Sequence, residues 1–186
     1  MMGAAHALAN DKQECDDDDI QDSTYQYTRI LGSIYAKDEI MDMAISTCDN
    51  YNVDLDGEIE DLVVGRINVE GYYTDWGVAN LAESNETVYA TGTSTGTRGG
   101  KIERTKVRSN EDCSDWNSQG VKTNLGSAAG DSGGPIYTRD GYLVGMHTEG
   151  QDSTGNSDCD GDQEYYYALG PTMYEITDRW PNMAIG

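Results

Sequence analysis

The sequence predicts an all-β protein, a sandwich or barrel of short antiparallel strands with one short helix near its carboxyl end. Short runs that are rich in Val, Ile, Thr and Tyr recur along the chain, and Gly, Asn, Asp or Ser bounds each run. Few segments hold the 3.6-residue apolar period that marks an amphipathic helix. The 186 residues are enough for one compact unit or two small barrels.

The candidate strands follow one another from residue 30 onward. They are residues 30–35, 41–46, 62–69, 87–91, 101–107, 136–137, 142–147 and 165–169. The sequence Arg-Asp-Gly at 139–141 is a tight-turn signal and predicts a hairpin between two of them. The helix is predicted at 171–180, because Pro171 stands at its start and Met173, Ile176 and Trp180 are spaced for one face.

Charge and hydropathy exclude whole classes of protein. There are 34 Asp and Glu against 12 Lys and Arg, a formal net charge of −22, which repels phosphate backbones and excludes nucleic acid as a partner. No apolar run approaches the roughly 20 residues of a membrane-spanning helix. The 13 Tyr and 3 Trp argue for a folded protein rather than a disordered one. The excess of Asp among its acids and the scarcity of Lys resemble proteins of salt-loving microbes.

The four cysteines are Cys15, Cys48, Cys113 and Cys159, and none has zinc-site spacing. An even number in a loop-rich chain fits two disulfides and a secreted protein, although this chain carries no signal peptide. Three pairings are possible, of which the sequence halves favour Cys15–Cys48 with Cys113–Cys159. Four reduced thiols in a cytosolic protein are the alternative.

The strongest functional signal is the hexapeptide GDSGGP at residues 130–135. A serine between glycines lies on a backbone that can turn sharply and let another chain approach. Backbone N–H groups on either side of that serine can converge on one point, as an oxyanion hole requires. The alternative is a glycine-rich turn with an ordinary serine, but a strand, a turn and a second strand follow at once, which disfavours it.

This hexapeptide resembles the nucleophile signature of the chymotrypsin/trypsin-like serine proteases. Residues 126–129 and 143–150 resemble the strands that line the family's substrate cleft. Residues 3–6, 42–45 and 92–96 resemble its histidine motif, its aspartate motif and a turn that opens the second barrel in microbial members. The resemblance covers nearly the whole chain and points to microbial, haloarchaeal-type members.

The resemblance implies two antiparallel Greek-key β-barrels of the trypsin-like kind. Residues 1–66 would be an N-terminal barrel that carries His6 and Asp42, and residues 67–186 a C-terminal barrel that carries Ser132 and the specificity pocket. Because only five residues precede His6, the first barrel is expected to be incomplete. The chain would then be either N-terminally truncated, and poorly active alone, or a remnant that has lost those strands.

The roles follow from the chemistry of a Ser-His-Asp triad. Ser132 would attack a peptide carbonyl, His6 would take its proton and pass it to the leaving amine, and Asp42 would orient His6. The N–H groups of Gly130 and Ser132 would hold the oxyanion. In the family, the residue before the serine, here Asp131, is structural and is held by a buried positive partner. His6 as a surface histidine and Asp42 as a plain strand-end residue are the alternatives.

Substrate recognition is assigned by resemblance to Ser127, His147 and Thr148. The pocket-base position is Gly126 rather than Asp, so a preference for Arg or Lys lacks its counter-charge. The family's glutamate-specific members have a histidine at the position of His147, and a histidine and a hydroxyl can both donate to a carboxylate. The sequence therefore predicts cleavage after Glu or Asp. The alternative is a packed histidine without a role in selection.

Other functions are weaker interpretations. The same residues match the G-x-S-x-G elbow of α/β-hydrolases, but a hairpin rather than a helix follows the serine, and the order of the residues is wrong. A non-catalytic interaction module that keeps the trypsin-like fold is the competing class. The sequence predicts no cofactor and no metal, since two half-matches to a calcium loop, at 52–63 and 156–167, lack the final Glu. A monomer acting on polypeptides is expected.

Overall fold

A computed structural model describes residues 57–108, 120–153 and 165–182 with their side chains, and five further strands by their backbone. Four of these five strands form one antiparallel sheet in the order β1-β4-β3-β2. They are β1 (Met2–Ala4), β2 (Ser23–Gln26), β3 (Arg29–Asp38) and β4 (Met43–Ser46). The predicted strands at 30–35 and 41–46 coincide with β3 and β4. The four cysteines lie outside the described residues.

The prediction of a single strand at residues 62–69 is wrong. The structure has a hairpin of β5 (Glu58–Asp61) and β6 (Gly65–Asn68), with a turn between them. The Asp61 carboxylate accepts hydrogen bonds from the N–H groups of Val63 at 2.8 Å and Val64 at 3.1 Å. An Asp side chain that captures the next backbone donors stabilises a turn over an extended strand, even where the turn residues are apolar.

Two five-stranded sheets form the larger part of the described chain, with the orders β7-β13-β12-β8-β9 and β10-β11-β16-β14-β15. The strands are β7 (Gly71–Tyr72), β8 (Val88–Gly92), β9 (Gly96–Gly100), β10 (Ile102–Val107), β11 (Gly120–Thr123), β12 (Pro135–Tyr137), β13 (Tyr142–Met146), β14 (Glu149–Gln151), β15 (Ser157–Asp158) and β16 (Tyr167–Pro171). The hairpin predicted at 139–141 is confirmed, because β12 and β13 pair antiparallel across it. Thr138 and Gly141 close its turn with a 3.0 Å hydrogen bond.

Two helices flank these sheets in the described residues. The predicted one is α2 (Met173–Arg179), which begins after Thr172, whose hydroxyl accepts the N–H of Glu175. The other, α1 (Asp75–Glu83), was not predicted. Its Thr74 cap accepts the N–H of Gly77 at 3.2 Å. Gly77 disfavours a helix, and only Val78 and Leu81 of α1 are buried. Two apolar positions are too few to show a helical period in the sequence.

Strands β12 and β13 separate two apolar clusters. Alternate residues of a strand point to opposite faces, so Ile136 packs in one cluster and the adjacent Tyr137 in the other, both with no exposed surface. The loop that carries Ser132 leads directly into β12, and its geometry is therefore tied to the best-packed part of the molecule. The predicted predominance of short antiparallel strands is confirmed. Within the described residues, no helix is long and apolar enough to cross a membrane.

Candidate active site

Ser132 lies in the loop between β11 and β12, and its side chain is half-buried. Its Oγ donates to the carbonyl of Thr148 at 3.3 Å. Two backbone hydrogen bonds join the same loop to the residue after β13. The N–H of Gly133 donates to the carbonyl of His147 at 2.7 Å, and the N–H of His147 donates to the carbonyl of Gly134 at 2.9 Å. These three bonds hold the serine at a fixed place beside residues 147 and 148.

The Asp131 carboxylate anchors the loop from inside. It is 4% exposed and accepts three backbone N–H groups, from Ser94 at 2.8 Å and Thr95 at 3.1 Å on one oxygen and from Ala128 at 2.9 Å on the other. The resemblance implies a buried positive partner here. Among the described residues, backbone donors of the β8–β9 turn take that place, as in an anion-binding nest.

The β8–β9 hairpin approaches this loop so closely that side chains are excluded. A Cβ on Gly92 would lie 2.2 Å from an Asp131 oxygen, and a Cβ on Gly134 would lie 2.7 Å from the carbonyl oxygen of Thr91. Glycine at both positions is therefore required by the contact itself. The hydroxyl of Ser94 also donates to the carbonyl of Ala129. The β8–β9 turn therefore bonds to the residues on both sides of Gly130.

Some backbone N–H groups of the loop donate within the protein, and two do not. The N–H groups of Asp131, Gly133 and Gly134 donate to Ala128, His147 and Asp131, respectively. Within the described part of the chain, those of Gly130 and Ser132 donate to no acceptor. Gly130 has a φ of +93°, which only glycine adopts easily and which turns its peptide relative to its neighbours. Unused donors on both sides of a nucleophile are the arrangement that stabilises an oxyanion.

A small cavity lies beside the loop and contains the predicted specificity residues. Gly126, Ser127 and His147 line it, together with Arg98 from β9 and Ala168 from β16. Ser127 is 2% exposed and His147 is 4% exposed, so both belong to the wall rather than to the surface. The Ser127 hydroxyl donates to the carbonyl of Tyr167 at 3.3 Å.

Thr148 links the serine to the interior. Its carbonyl accepts the Ser132 hydroxyl, and its N–H donates to Leu169 at 2.9 Å. Its own hydroxyl is buried and has no hydrogen-bond partner among the residues that the structure describes. Such a group costs about 1–3 kcal/mol of folding free energy, so an acceptor is expected to face it.

The structure brings together Gly130, Asp131, Ser132, Ser127, His147 and Thr148. His6 and Asp42 lie outside the described residues. Sequence reasoning missed two contributions, the N–H groups of Ser94 and Thr95 on Asp131, and Arg98 in the cavity. The motif at 92–96 was identified only as a turn, and no local pattern shows which distant carboxylate its donors would bind. No cluster of three or more His, Cys, Asp or Glu that could hold a metal occurs in the described residues.

An all-β fold with a serine in a GDSGGP loop, unused backbone donors on both sides and a cavity beside it defines the class of serine endopeptidases, which are hydrolases. The chain belongs to the trypsin-like peptidase domain family, whose model matches residues 1–146. A comparison with curated proteins finds no match.

Solved structures support the same fold. A glutamic acid-specific serine protease that uses a histidine triad in substrate binding is 16% identical, with a TM-score of 0.68 over 97% of this chain and 83% of its own. Cellulomonas bogoriensis chymotrypsin is 18% identical, with a TM-score of 0.66 over 100% and 85%. Thermobifida fusca protease A is 18% identical, with a TM-score of 0.64 over 97% and 81%.

Proposed function

We propose that this chain is a secreted serine endopeptidase that cleaves polypeptides through an acyl-enzyme and prefers Glu or Asp on the acyl side of the cleaved bond. The observation that carries the proposal is the loop around Ser132. Of the five successive N–H groups from residue 130 to residue 134, three are used within the protein, and those of Gly130 and Ser132 are not, among the residues described. Two open donors on either side of a serine are what an oxyanion hole requires.

The reaction follows the acid–base chemistry of the triad. Neutral His6 takes the proton of the Ser132 hydroxyl while Oγ attacks the peptide carbonyl, and the carbonyl oxygen becomes an anion held by the two open N–H groups. His6 then gives the proton to the leaving amine, and the acyl-enzyme forms. Water, deprotonated by His6, repeats the sequence and releases the acid.

Asp42 is the third member of the triad in this proposal. It orients His6 and stabilises the imidazolium. The buried Thr148 hydroxyl supports this assignment, because it stands next to the carbonyl that holds Ser132 and lacks an acceptor among the described residues. In the resembling family, the corresponding hydroxyl bonds the catalytic aspartate.

The preference for an acidic residue rests on the cavity wall. Gly126 brings no negative charge to the position where a basic substrate would need one, and the buried His147 lines the same space. Ser127 would have to turn its hydroxyl from the carbonyl of Tyr167 to donate to a substrate carboxylate. The specificity of the glutamic acid-specific relative in structure is consistent with this preference.

The acidic surface fits activity in concentrated salt. A net charge of −22 on 186 residues produces strong self-repulsion at low ionic strength, which salt screens. We expect hydrolysis and the melting temperature to rise between 0.1 M and molar KCl. Loss of activity over that range would contradict this part of the proposal.

A fluorophosphonate probe tests the nucleophile directly, since it labels only an activated serine. We expect labelling of the wild-type chain, none of Ser132→Ala, and full labelling of Ser153→Ala, a control at an exposed serine. Absence of labelling in the folded wild-type protein would contradict the proposed function and favour a non-catalytic module.

Matched peptide substrates test the preference. Four chromogenic peptides that differ only in the residue before the cleaved bond (Glu, Gln, Phe or Arg) are compared by kcat/KM. We expect Glu to be fastest. Faster hydrolysis of the Phe or Arg peptide would eliminate the proposed preference while leaving the peptidase activity intact.

A further inference from the structure

Arg98 occupies an unexpected place in the cavity beside Ser132. It belongs to β9, where it pairs with Ala90 of β8, and it is half-buried. Its side chain reaches across to the loop before the serine. A Cβ built on Gly126 would lie 2.8 Å from the Nη1 atom of Arg98, so the guanidinium fills the space that any side chain at position 126 would need.

The backbone at the pocket base favours glycine, and the end of the Arg98 side chain lies beside it. Gly126 has a φ of +69°, and its neighbour Ser127 pairs with Tyr165 in both directions, through hydrogen bonds of 3.1 Å and 2.7 Å. The backbone therefore cannot move away from the guanidinium. Gly126 itself has no charge, and the positive charge beside it comes from Arg98 on β9.

The guanidinium has no acid of its own in the described part of the chain, where no hydrogen bond or ion pair to Arg98 occurs. Among the described residues that line the cavity, the one carboxylate is Asp131, and its oxygens are already occupied by three backbone N–H groups. A guanidinium keeps its charge at all ordinary pH values and presents a planar fork that matches a carboxylate.

We propose that Arg98 is a specificity-determining residue, which supplies the positive charge that selects an acidic substrate side chain in this cavity. The inference rests on the proposed function for the identity of the pocket, and it adds a charge donor that His147 and Ser127 do not provide. His147 donates from the β13 end of the wall, and Arg98 binds the carboxylate from the β9 side. Two donors on opposite sides of a carboxylate favour Glu over Gln, which has the same shape without the charge.

The test measures binding, so that it does not depend on turnover. In a Ser132→Ala background, calorimetry compares two acetylated tetrapeptides that end in Glu or in Gln. Both carry the same terminal carboxylate, so the difference between them reports the side-chain charge alone. We expect the Glu peptide to bind about tenfold more tightly or better, as for a charge-assisted hydrogen bond.

Three variants in that background isolate Arg98. Arg98→Gln should bring the affinity for the Glu peptide down to that for the Gln peptide, and Arg98→Lys should keep part of the preference. Arg104→Gln, which removes an exposed charge on β10, should leave the preference unchanged. If Arg98→Gln does not fold, retention of only part of the preference by Arg98→Lys is the deciding result.

The inference is overturned if the preference survives Arg98→Gln, if Arg98→Lys is indistinguishable from wild type, or if neither peptide is bound. It is also overturned if the Ser132→Ala protein binds both peptides equally. Failure of the proposed function has a different signature, since a folded chain that fluorophosphonate does not label could still bind the Glu peptide in an Arg98-dependent way.

Discussion

Asp131 and Asp61 are two buried carboxylates that hold turns in different ways. Asp131, 4% exposed, is bound by the N–H groups of Ser94, Thr95 and Ala128. Asp61, with no exposed surface, is bound by two N–H groups of its own turn and by the guanidinium of Arg139, with Nε 3.0 Å from Oδ2. One anchor consists of backbone dipoles alone, whereas the other includes an ion pair.

The two anchors have different roles, because one positions the loop that carries Ser132 and the other attaches the β5–β6 hairpin. Backbone donors are set by the strands and turn that carry them, so they fix the place of Asp131 and, with it, of the loop that carries Ser132. The Arg139 side chain is long and 33% exposed, and it attaches the β5–β6 hairpin to the turn between β12 and β13 without requiring one geometry. Changes at Asp131 should therefore affect catalysis, and changes at Asp61 should affect stability.

The largest effect is expected from Asp131→Asn. Asparagine can keep one oxygen on Ser94 and Thr95, but its NH₂ group then faces the N–H of Ala128, and two donors oppose each other. Loss of charge-assisted bonds of about 1.5–3 kcal/mol each should reduce kcat/KM by 10²-fold or more. Peptide hydrolysis measures this, and a variant with wild-type kcat/KM would show that the anchor does not position the serine.

Gly92→Ala tests the same anchor from the opposite side. Because a Cβ there would lie 2.2 Å from the Asp131 oxygen, the hairpin and the loop cannot both keep their places. We expect a loss of activity comparable to that of Asp131→Asn, with slower labelling of Ser132 by fluorophosphonate. Gly65→Ala is the control. No atom lies within 4 Å of an added Cβ there, so only the strain of its φ of +92° remains, and labelling should be retained.

Arg139→Gln breaks the second anchor. It leaves a buried carboxylate without its charged partner, and this should lower the free energy of unfolding by about 1–3 kcal/mol. The kcat/KM of the folded fraction should change less than twofold. Urea unfolding measures the loss, and Arg66→Gln, at an exposed ion pair with Glu58 of 3.0 Å, should cost less than about 0.5 kcal/mol.

The pH dependence of stability should reveal Asp61. Burial raises the pKa of this carboxyl, but the hydrogen bonds from Arg139, Val63 and Val64 outweigh it, and its pKa lies below the ordinary 3.8. A lowered pKa in the folded state stabilises the protein above the ordinary value, and the contribution disappears as the pH falls through the folded pKa.

The advantage of wild type over Asp61→Asn should therefore be constant from pH 7 to pH 5 and should shrink below about pH 4. Urea unfolding at several pH values measures both proteins, and the other carboxyl groups cancel in the difference. An advantage that grows as the pH falls would mean that burial, rather than the ion pair, dominates.

The smallest effect is expected where the two regions meet. The hydroxyl of Thr97 accepts the N–H of Leu62, in the Asp61 turn, and shares a 2.8 Å hydrogen bond with Thr91, on the hairpin that holds Asp131. Thr97→Val should lower the free energy of unfolding by about 0.5–1 kcal/mol, because the donor of exposed Leu62 can bond to water. If Asp61→Asn and Asp131→Asn act independently, the changes that they cause in the free energy of unfolding should add within about 0.5 kcal/mol. The sum should hold both in the wild-type background and in Thr97→Val.

The sequence could predict what local patterns determine. The GDSGGP motif led to the loop in which Asp131 and Ser132 are held, and Arg139-Asp140-Gly141 identified the hairpin. The early Pro171 and the apolar spacing after it identified α2. The roles of His6 and Asp42 stay predictions.

The rest depends on contacts between distant segments. Two of the three donors that bind Asp131 lie 36 and 37 residues before it, and Arg98 reaches the cavity only through the register of β8 and β9. The Asp61 turn was misread as strand because Val63 and Val64 have a high β propensity, which two hydrogen bonds to one carboxylate outweigh. The helix α1 was missed because two buried residues are too few for a period.

The distance along the chain between the β8–β9 turn and Asp131 also sets an order of assembly. At a synthesis rate of about 5–20 residues per second, the hairpin leaves the ribosome seconds before the serine loop. The donors of Ser94 and Thr95 are therefore synthesised before the carboxylate that they bind, and Ser132 meets its acceptor only after Thr148 has followed. A chain that ends just before residue 148 carries all the donors for Asp131 but lacks the carbonyl that accepts the Ser132 hydroxyl.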